Sequence, residues 1–217
     1  MSTRRRLSPD ERRQVLVDAG ARLFAERPYD AVLMEDVAAA AGVSRALLYR
    51  HFPSKRDLFV GVYQQAVDQL LVATRLDTEG PLTEQLAAAL DTHFDYFEAN
   101  ANGVLAANRV LGRDPTIQAL IAGELAEVRR RLLDTLGVEG TVRAQISSIL
   151  TSWLTFVRVL TVEWLENQHY TRAEMLEISV GALLGALHPI LGPDFPLSAP
   201  SSRVHARRNT SRGGDSS

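Results

Sequence analysis

The chain has 217 residues and a net charge of −2, with 46% of its residues hydrophobic, enough for a buried core in one large or two small domains. It has no cysteine, which excludes disulfides, thiolate metal sites and a cysteine nucleophile. The charge is uneven, net +3 over residues 1–60, −8 over 61–199 and +3 over 200–217, so the front of the chain suits an anionic partner.

In chain order, residues 1–7 read as a basic disordered arm within MSTRRRLSPDERR. That opening has no apolar stretch of the secretory kind, so the expectation is a cytoplasmic protein. Ser8, Pro9, Asp10 and Glu11 make a capping box with proline at the first helical position. Val15 or Leu16, then Ala19, Leu23 and Phe24 recur at helical spacing until Arg27 and Pro28 stop the run. A short alanine-rich helix over 35–41 ends at Gly42, which can take the left-handed conformation of a tight stop. Ser44 caps the next helix, and Pro53 ends it after barely two turns. Ser54 and Asp57 form another capping pair. The helix over 54–73 carries Leu58, Phe59, Val62, Ala66 and Leu70 on one face and fades before Gly80 and Pro81.

Beyond that break, Leu86, Leu90, Phe94 and Phe97 mark one helix and residues 104–111 a short one. Asp114 and Pro115 open a third, broken over 137–140, and a long helix follows to Glu166. Thr171 with Glu174 caps the last helix, expected to end at Pro189. Residues 146–165 are long and apolar enough to span a membrane. Arg158 and the recurring Ser147, Ser148, Thr151, Ser152, Thr155 and Thr161 favour burial in a helical bundle or dimer instead. No run alternates with period two, so the expected fold is all-α, with about nine helices. The tail over 198–217, rich in Ser, Arg and Gly, reads as disordered.

Two short helices joined by AAGVS are what a helix-turn-helix needs. Ala39, Ala40 and Ala41 allow close approach, Gly42 makes the turn and Val43 tucks beneath it. Leu48 and Phe52, four apart, give the second helix its buried face. Ser44, Arg45, Ala46, Leu47, Tyr49, Arg50 and His51 then lie wholly or partly outward, and such a helix can enter the major groove. Arg45 and Arg50 are long enough for guanine O6 and N7. Tyr49, His51 and Lys55 place donors at the phosphate rim, and Ser54 with the start of its helix offers backbone N–H groups.

Residues 23–59, LFAERPYDAVLMEDVAAAAGVSRALLYRHFPSKRDLF, resemble the TetR family of one-component transcriptional repressors. DVAAAAGVS and LYRHFPSKRDL are the most diagnostic segments. Two departures stand out. Val32, Leu33 and Met34 replace the usual Thr or Ser that starts the helix before the turn. Ala46 and Leu47 stand where Gly-Thr is common; Leu47 either touches a thymine methyl or packs inward. The resemblance implies a DNA-binding domain over 8–57 and a ligand-binding and dimerisation domain over 58–197, entered through the linking helix 54–73. It implies a homodimer on palindromic double-stranded DNA, released by a small-molecule effector, with no cofactor and no membrane.

In the body, Trp153, Val157, Leu160 and Trp164 stripe one face of the long helix, and Gly181, Ala182, Gly185 and Ala186 leave the last helix open to close approach. These residues are the expected dimer interface, with burial inside one subunit as the alternative. Ser148, Thr151, Ser152, Thr155 and Arg158 form a polar seam that either lines a cavity or is helix packing with Arg158 ion-paired. Candidate ligand-binding residues are His93, Tyr96, Phe97, Asn108, Arg109, Thr155 and Arg158. Glu166 and His169 have the Glu-x-x-His spacing of di-iron bundles, but no other histidine has a glutamate three positions earlier. No metal site and no catalytic residue are therefore assigned. A helical-bundle enzyme or ligand-binding protein that ignores DNA is the alternative function.

Overall fold

A computed structural model of the chain describes residues 8–74 and 81–192, and every regular element among them is helical. The arm 1–7, the tail 198–217, Gly80 and residues 193–197 of the expected body domain lie outside the described residues. The helices are α1 (Pro9–Glu26), α2 (Met34–Ala40), α3 (Arg45–His51), α4 (Lys55–Ala73), α5 (Leu82–Ala99), α6 (Ala101–Leu105), α7 (Pro115–Leu136), α8 (Gly140–Asn167) and α9 (Arg172–Leu191). A 3-10 turn (Tyr29–Ala31) precedes α2, and a π-helical turn (Ala106–Val110) extends α6.

The capping chemistry sits where the residue types place it. The Ser8 and Thr171 hydroxyls each accept from the backbone N–H three residues on, and Glu11 and Glu174 complete both capping boxes. Asp114 caps α7 by accepting from the N–H groups of Thr116 and Ile117, with Pro115 as its first residue. Such caps satisfy donors that the first turn leaves orphaned. α9 differs from expectation, running through Pro189 to Leu191 and ending at Gly192. Proline removes one bond to the residue four earlier. Here that residue is Gly185, which is exposed, so its carbonyl loses nothing that water cannot replace.

Two main apolar cores form, with a smaller cluster of Leu70, Phe97, Val104 and Val162 beside them. The first gathers Leu16, Phe24, Val37, Leu48, Phe52, Leu58 and Phe59 from α1 to α4, and continues through Tyr63 and Val67 onto Ala107, Ile117 and Ile121. The second unites α5, the C-terminal half of α7, α8 and α9 around Phe94, Leu133, Leu150, Trp153, Met175 and Leu187. α4 joins them, packing against α1 on one side and α7 on the other. Of the three alanines expected to admit close approach, Ala39 and Ala40 are exposed and Ala41 is half-buried against the first core, while the fully buried alanine is Ala38. A helix turns 100° per residue, so the three cannot share one face.

Candidate functional site

The turn between α2 and α3 is built on Gly42 at φ +65°, with the Gly42 and Val43 N–H groups bonded back to the Ala39 and Ala38 carbonyls. Glycine reaches this conformation without a Cβ penalty. Ser44 Oγ accepts from Leu47 N at 3.3 Å, starting α3 at a fixed angle. Leu48 and Phe52 are buried, while Ser44, Arg45, Ala46, Tyr49 and Arg50 are exposed; Leu47 and His51 are half-buried. Leu47 therefore keeps part of its side chain outward. α2 starts at Leu33 without a side-chain cap, as Val32, Leu33 and Met34 foretell.

Three basic groups have partners that the sequence did not announce. Arg45, 64% exposed, pairs with Glu35 of α2. Arg56 donates to both carboxylate oxygens of Asp114 at 2.8 Å and to Thr116 Oγ1 at 2.7 Å, a bidentate clamp between the first turns of α4 and α7. Lys55 corrects an expectation. Its ammonium does not point to the phosphate rim but donates inward to the carbonyls of Tyr29 (2.9 Å), Asp30 (3.3 Å) and Val32 (3.1 Å). It also lies 4.7 Å from the centre of the Tyr29 ring. The Ser54 hydroxyl is likewise occupied, accepting from Asp57 N and donating to its carboxylate.

Two cavities lie beside α4. The first, about 80 Å³, is walled by Leu70, Leu86, Leu90, Leu132 and Trp153, with His93, Glu124, Arg131 and Arg158 among its polar residues. The second, about 90 Å³, is lined by Phe24, Phe59, Tyr63, Tyr96, Phe97 and, again, Leu70 and Glu124. Arg158 is buried between them: Nη2 donates to Tyr63 Oη at 2.7 Å, Nε to Asn108 Oδ1 at 3.2 Å, and Nη1 reaches Glu124 Oε2 at 3.4 Å. Arg158 thus both lines a cavity and is ion-paired, so the two readings of its seam are not exclusive. Burial pushes the His93 imidazole down to about 3, helped by Arg158, so it is neutral at physiological pH; its Nε2 is buried without a partner. Burial also raises the Tyr63 hydroxyl and the Glu124 carboxyl, against the pull of Arg158.

Residues 16–62 match the model of the family described as "Bacterial regulatory proteins, tetR family". The chain is 40% identical over 100 residues to the HTH-type transcriptional activator FasR of Mycolicibacterium smegmatis, covering 45% of this chain and 46% of FasR. In that comparison the chain spans about half the length of its relative. It superposes on a tetR-family transcriptional regulator from Streptomyces coelicolor with a TM-score of 0.73 and 26% identity, over 84% of this chain and 85% of that one. Residues 16–62 are thus similar to the DNA-binding region of the TetR family. FadR from Bacillus subtilis, solved with stearoyl-CoA, shares the fold at 18% identity, with a TM-score of 0.57 over 80% of this chain and 96% of that one.

The remaining candidates divide. His93 and Arg158 line the first cavity, Tyr96 and Phe97 the second, and Asn108 holds the Arg158 side chain. Arg109 lines neither. It is exposed and pairs with Glu163 at 2.6 Å and Glu166 through Nε at 2.8 Å, an engagement that also occupies the glutamate of the Glu-x-x-His spacing. Thr155 is exposed and its hydroxyl donates to the Thr151 carbonyl at 2.9 Å. Ser148, Thr151 and Ser152 bond back four residues in the same way, so the hydroxyl part of the seam is a solvated face.

The apolar stripe on α8 also needs correcting. Trp153, Val157 and Trp164 are buried within their own subunit, and Leu160 packs on the same core. The indole N–H groups of Trp153 and Trp164 donate to the Ser179 and Tyr170 carbonyls at 2.8 Å. Period 3.6 puts these four on one face but cannot say which body covers it. The exposed apolar face of α8 is rotated by about 100° around the helix from that stripe, at Phe156 (40% exposed) and Val159 (56%). Gly181, Ala182, Gly185 and Ala186 are exposed beside it on α9, and a shallow groove joins Ile149, Ser152 and Phe156 to Ala182 and Ala186.

Proposed function

We propose that the chain is a ligand-responsive, sequence-specific DNA-binding transcriptional regulator: a cytoplasmic homodimer released from a palindromic operator by a small molecule. The observation that carries this reading is the position of α4. Its first half completes the core on which the recognition helix α3 sits, and its second half lines both cavities. A molecule in either cavity therefore touches the element that orients α3. The functional division follows: residues 8–57 bind DNA, and residues 58–197 bind the effector and dimerise, with α4 as the link.

In this reading α3 enters the major groove with Ser44, Arg45, Ala46, Leu47, Tyr49, Arg50 and His51 towards the duplex. Ser54 and Lys55 contribute through the backbone at the N-terminus of α4, a natural phosphate site. The dimer joins Phe156, Val159, Gly181, Ala182, Gly185 and Ala186 to their copies in a partner. α8 and α9 are long and apolar enough for a membrane by length and composition, but that apolarity serves the core and the dimer. The apolar walls suit an apolar effector, and the FadR complex with stearoyl-CoA is consistent with one. FasR is named an activator, and the direction of control follows from where the operator lies; the reading here is repression. It assigns no catalytic step.

The test is selection of duplexes from a random pool, followed by titration of the winner at several salt concentrations. Near-palindromic DNA should bind at nanomolar Kd, in the ~10⁻⁸–10⁻¹¹ M range of specific complexes. Half-sites should be presented about one helical turn apart or slightly more. A protein that sediments as a monomer and selects no sequence would refute the reading.

A further inference from the structure

The cluster between the two cavities contains polar groups that the fold leaves under-used. A buried guanidinium gains most from two short parallel bonds to one carboxylate, yet Arg158 reaches Glu124 through one contact of 3.4 Å. The two side chains keep only 9% and 6% of their exposure, so water does not make up the deficit. Among the described residues Glu124 is hydrogen-bonded by Arg158 alone, and the His93 Nε2 in the wall of the same cavity is unpartnered. An isolated buried ion costs several kcal/mol unless it is well paired. The rest of the chamber is leucine, valine, alanine and tryptophan with Thr74 and Arg131, and the Arg131 guanidinium is already engaged by Glu127 and the Leu71 carbonyl.

We propose that this chamber binds an apolar carboxylic acid as its anion, and that the ligand carboxylate replaces Glu124 on Arg158. The proposal deepens the regulator reading above and rests on it. Two carboxylates beside one guanidinium cannot both stay ionised at this depth, so Glu124 takes up one proton from solvent as the ligand enters. The titratable groups around Glu124 are Arg158 from α8, Tyr63 from α4, and His93 and Tyr96 from α5. Glu124 and Leu70 line both cavities, so withdrawal of that carboxylate opens one into the other. A single water needs about 10–15 Å³, so each chamber alone holds only a compact group, while the joined space admits a longer chain. Arg158 keeps its second bond, to Tyr63 of α4, and the exchange is thereby felt by the link to the DNA-binding domain.

The test is titration calorimetry on the full chain without DNA. The probes are straight-chain acids from hexanoate to hexadecanoate and the primary alcohols of equal length, each in two neutral buffers of different ionisation enthalpy. Acids should bind about tenfold or more tighter than the matching alcohols, the worth of a hydrogen bond to a charged group. Binding should take up about one proton per site, and affinity should still rise beyond the length one chamber holds. Glu124→Gln retains the shape but cannot accept the proton; acids should still bind, with uptake lost. Arg158→Gln should remove the preference for acids over alcohols, and if that variant does not fold, Glu124→Gln decides alone. No binding by any acid, equal affinity for acids and alcohols, no uptake, or uptake that survives in Glu124→Gln would each overturn the proposal. An operator complex released by apolar alcohols but not by acids would also sink it while leaving the regulator reading intact. Failure to bind palindromic DNA would strike that reading without touching these titrations.

Discussion

Lys55 is the one lysine in a chain with 23 arginines, and its position explains the choice. An ammonium is a compact point charge with three donors and no acceptor, and here it meets three carbonyls around the turn before α2. A planar guanidinium cannot converge its donors in that way. Lys55→Arg should therefore destabilise the protein by about 1–3 kcal/mol, the range for a hydrogen bond to a charged group. A urea melt with a lower midpoint and unchanged slope would show this. A further test at the residue scale concerns α3. Arg45→Ala or Arg50→Ala should each weaken operator binding by about 1–3 kcal/mol per half-site and relax the preference at one base pair, read from titrations against single-base operator variants. Arg45 must first leave Glu35, an exposed pair of small worth, so it costs the complex little.

Among the elements, α4 and α7 are tied at three levels: Arg56 to Asp114, Tyr63 through Arg158 to Glu124, and the Leu71 carbonyl to the Arg131 guanidinium. The Asp114 carboxyl is held down at about 2, first by the Arg56 hydrogen bond and then by the α7 backbone N–H groups. Its folded-state value lies below its unfolded one, so its contribution is present above about pH 4 and is lost as pH falls towards 2. Asp114→Asn keeps a good helix cap but no charge, and thermal melts across that window should show a shallower acid limb than the parent. Tyr63→Phe removes the acceptor that Arg158 uses on α4. Effector binding should persist while its coupling to DNA, ordinarily about 1–3 kcal/mol, shrinks. Effector affinities with and without saturating operator should then nearly coincide.

At the scale of the whole molecule, the proposed dimer holds two recognition helices at a set separation, and that separation would depend on the exposed face of α8 and α9. A Cβ added at Gly181 or Gly185 meets nothing within 4 Å in the single subunit. Gly185→Leu should thus leave the subunit folded, with unchanged helical circular dichroism, while blocking close approach of a partner. Sedimentation should show monomer at concentrations where the parent is a dimer, and operator affinity should fall with it. A variant that remains dimeric would move the interface elsewhere.

Local chemistry made the elements legible in the sequence. Caps at Ser8, Ser44, Ser54, Asp114 and Thr171, the left-handed Gly42 and the stop at Pro53 each act within a few residues, so their consequences are written where they stand. The outward face of α3 followed, because Leu48 and Phe52 leave one face to solvent. Which body covers an apolar face is a different matter, since periodicity reports that a stripe is buried and not by what. Trp153, Val157 and Trp164 therefore turned out to pack in their own subunit, and Phe156 and Val159 were left outside. The partners of Lys55 and Arg158, and the Asp114 that Arg56 clamps, lie 23 to 95 residues away along the chain, and only folding brings them within reach. Chain position alone sets no distance between such groups, and the strength of a charge pair depends on distance and burial, so the tertiary structure alone decided what these cations do.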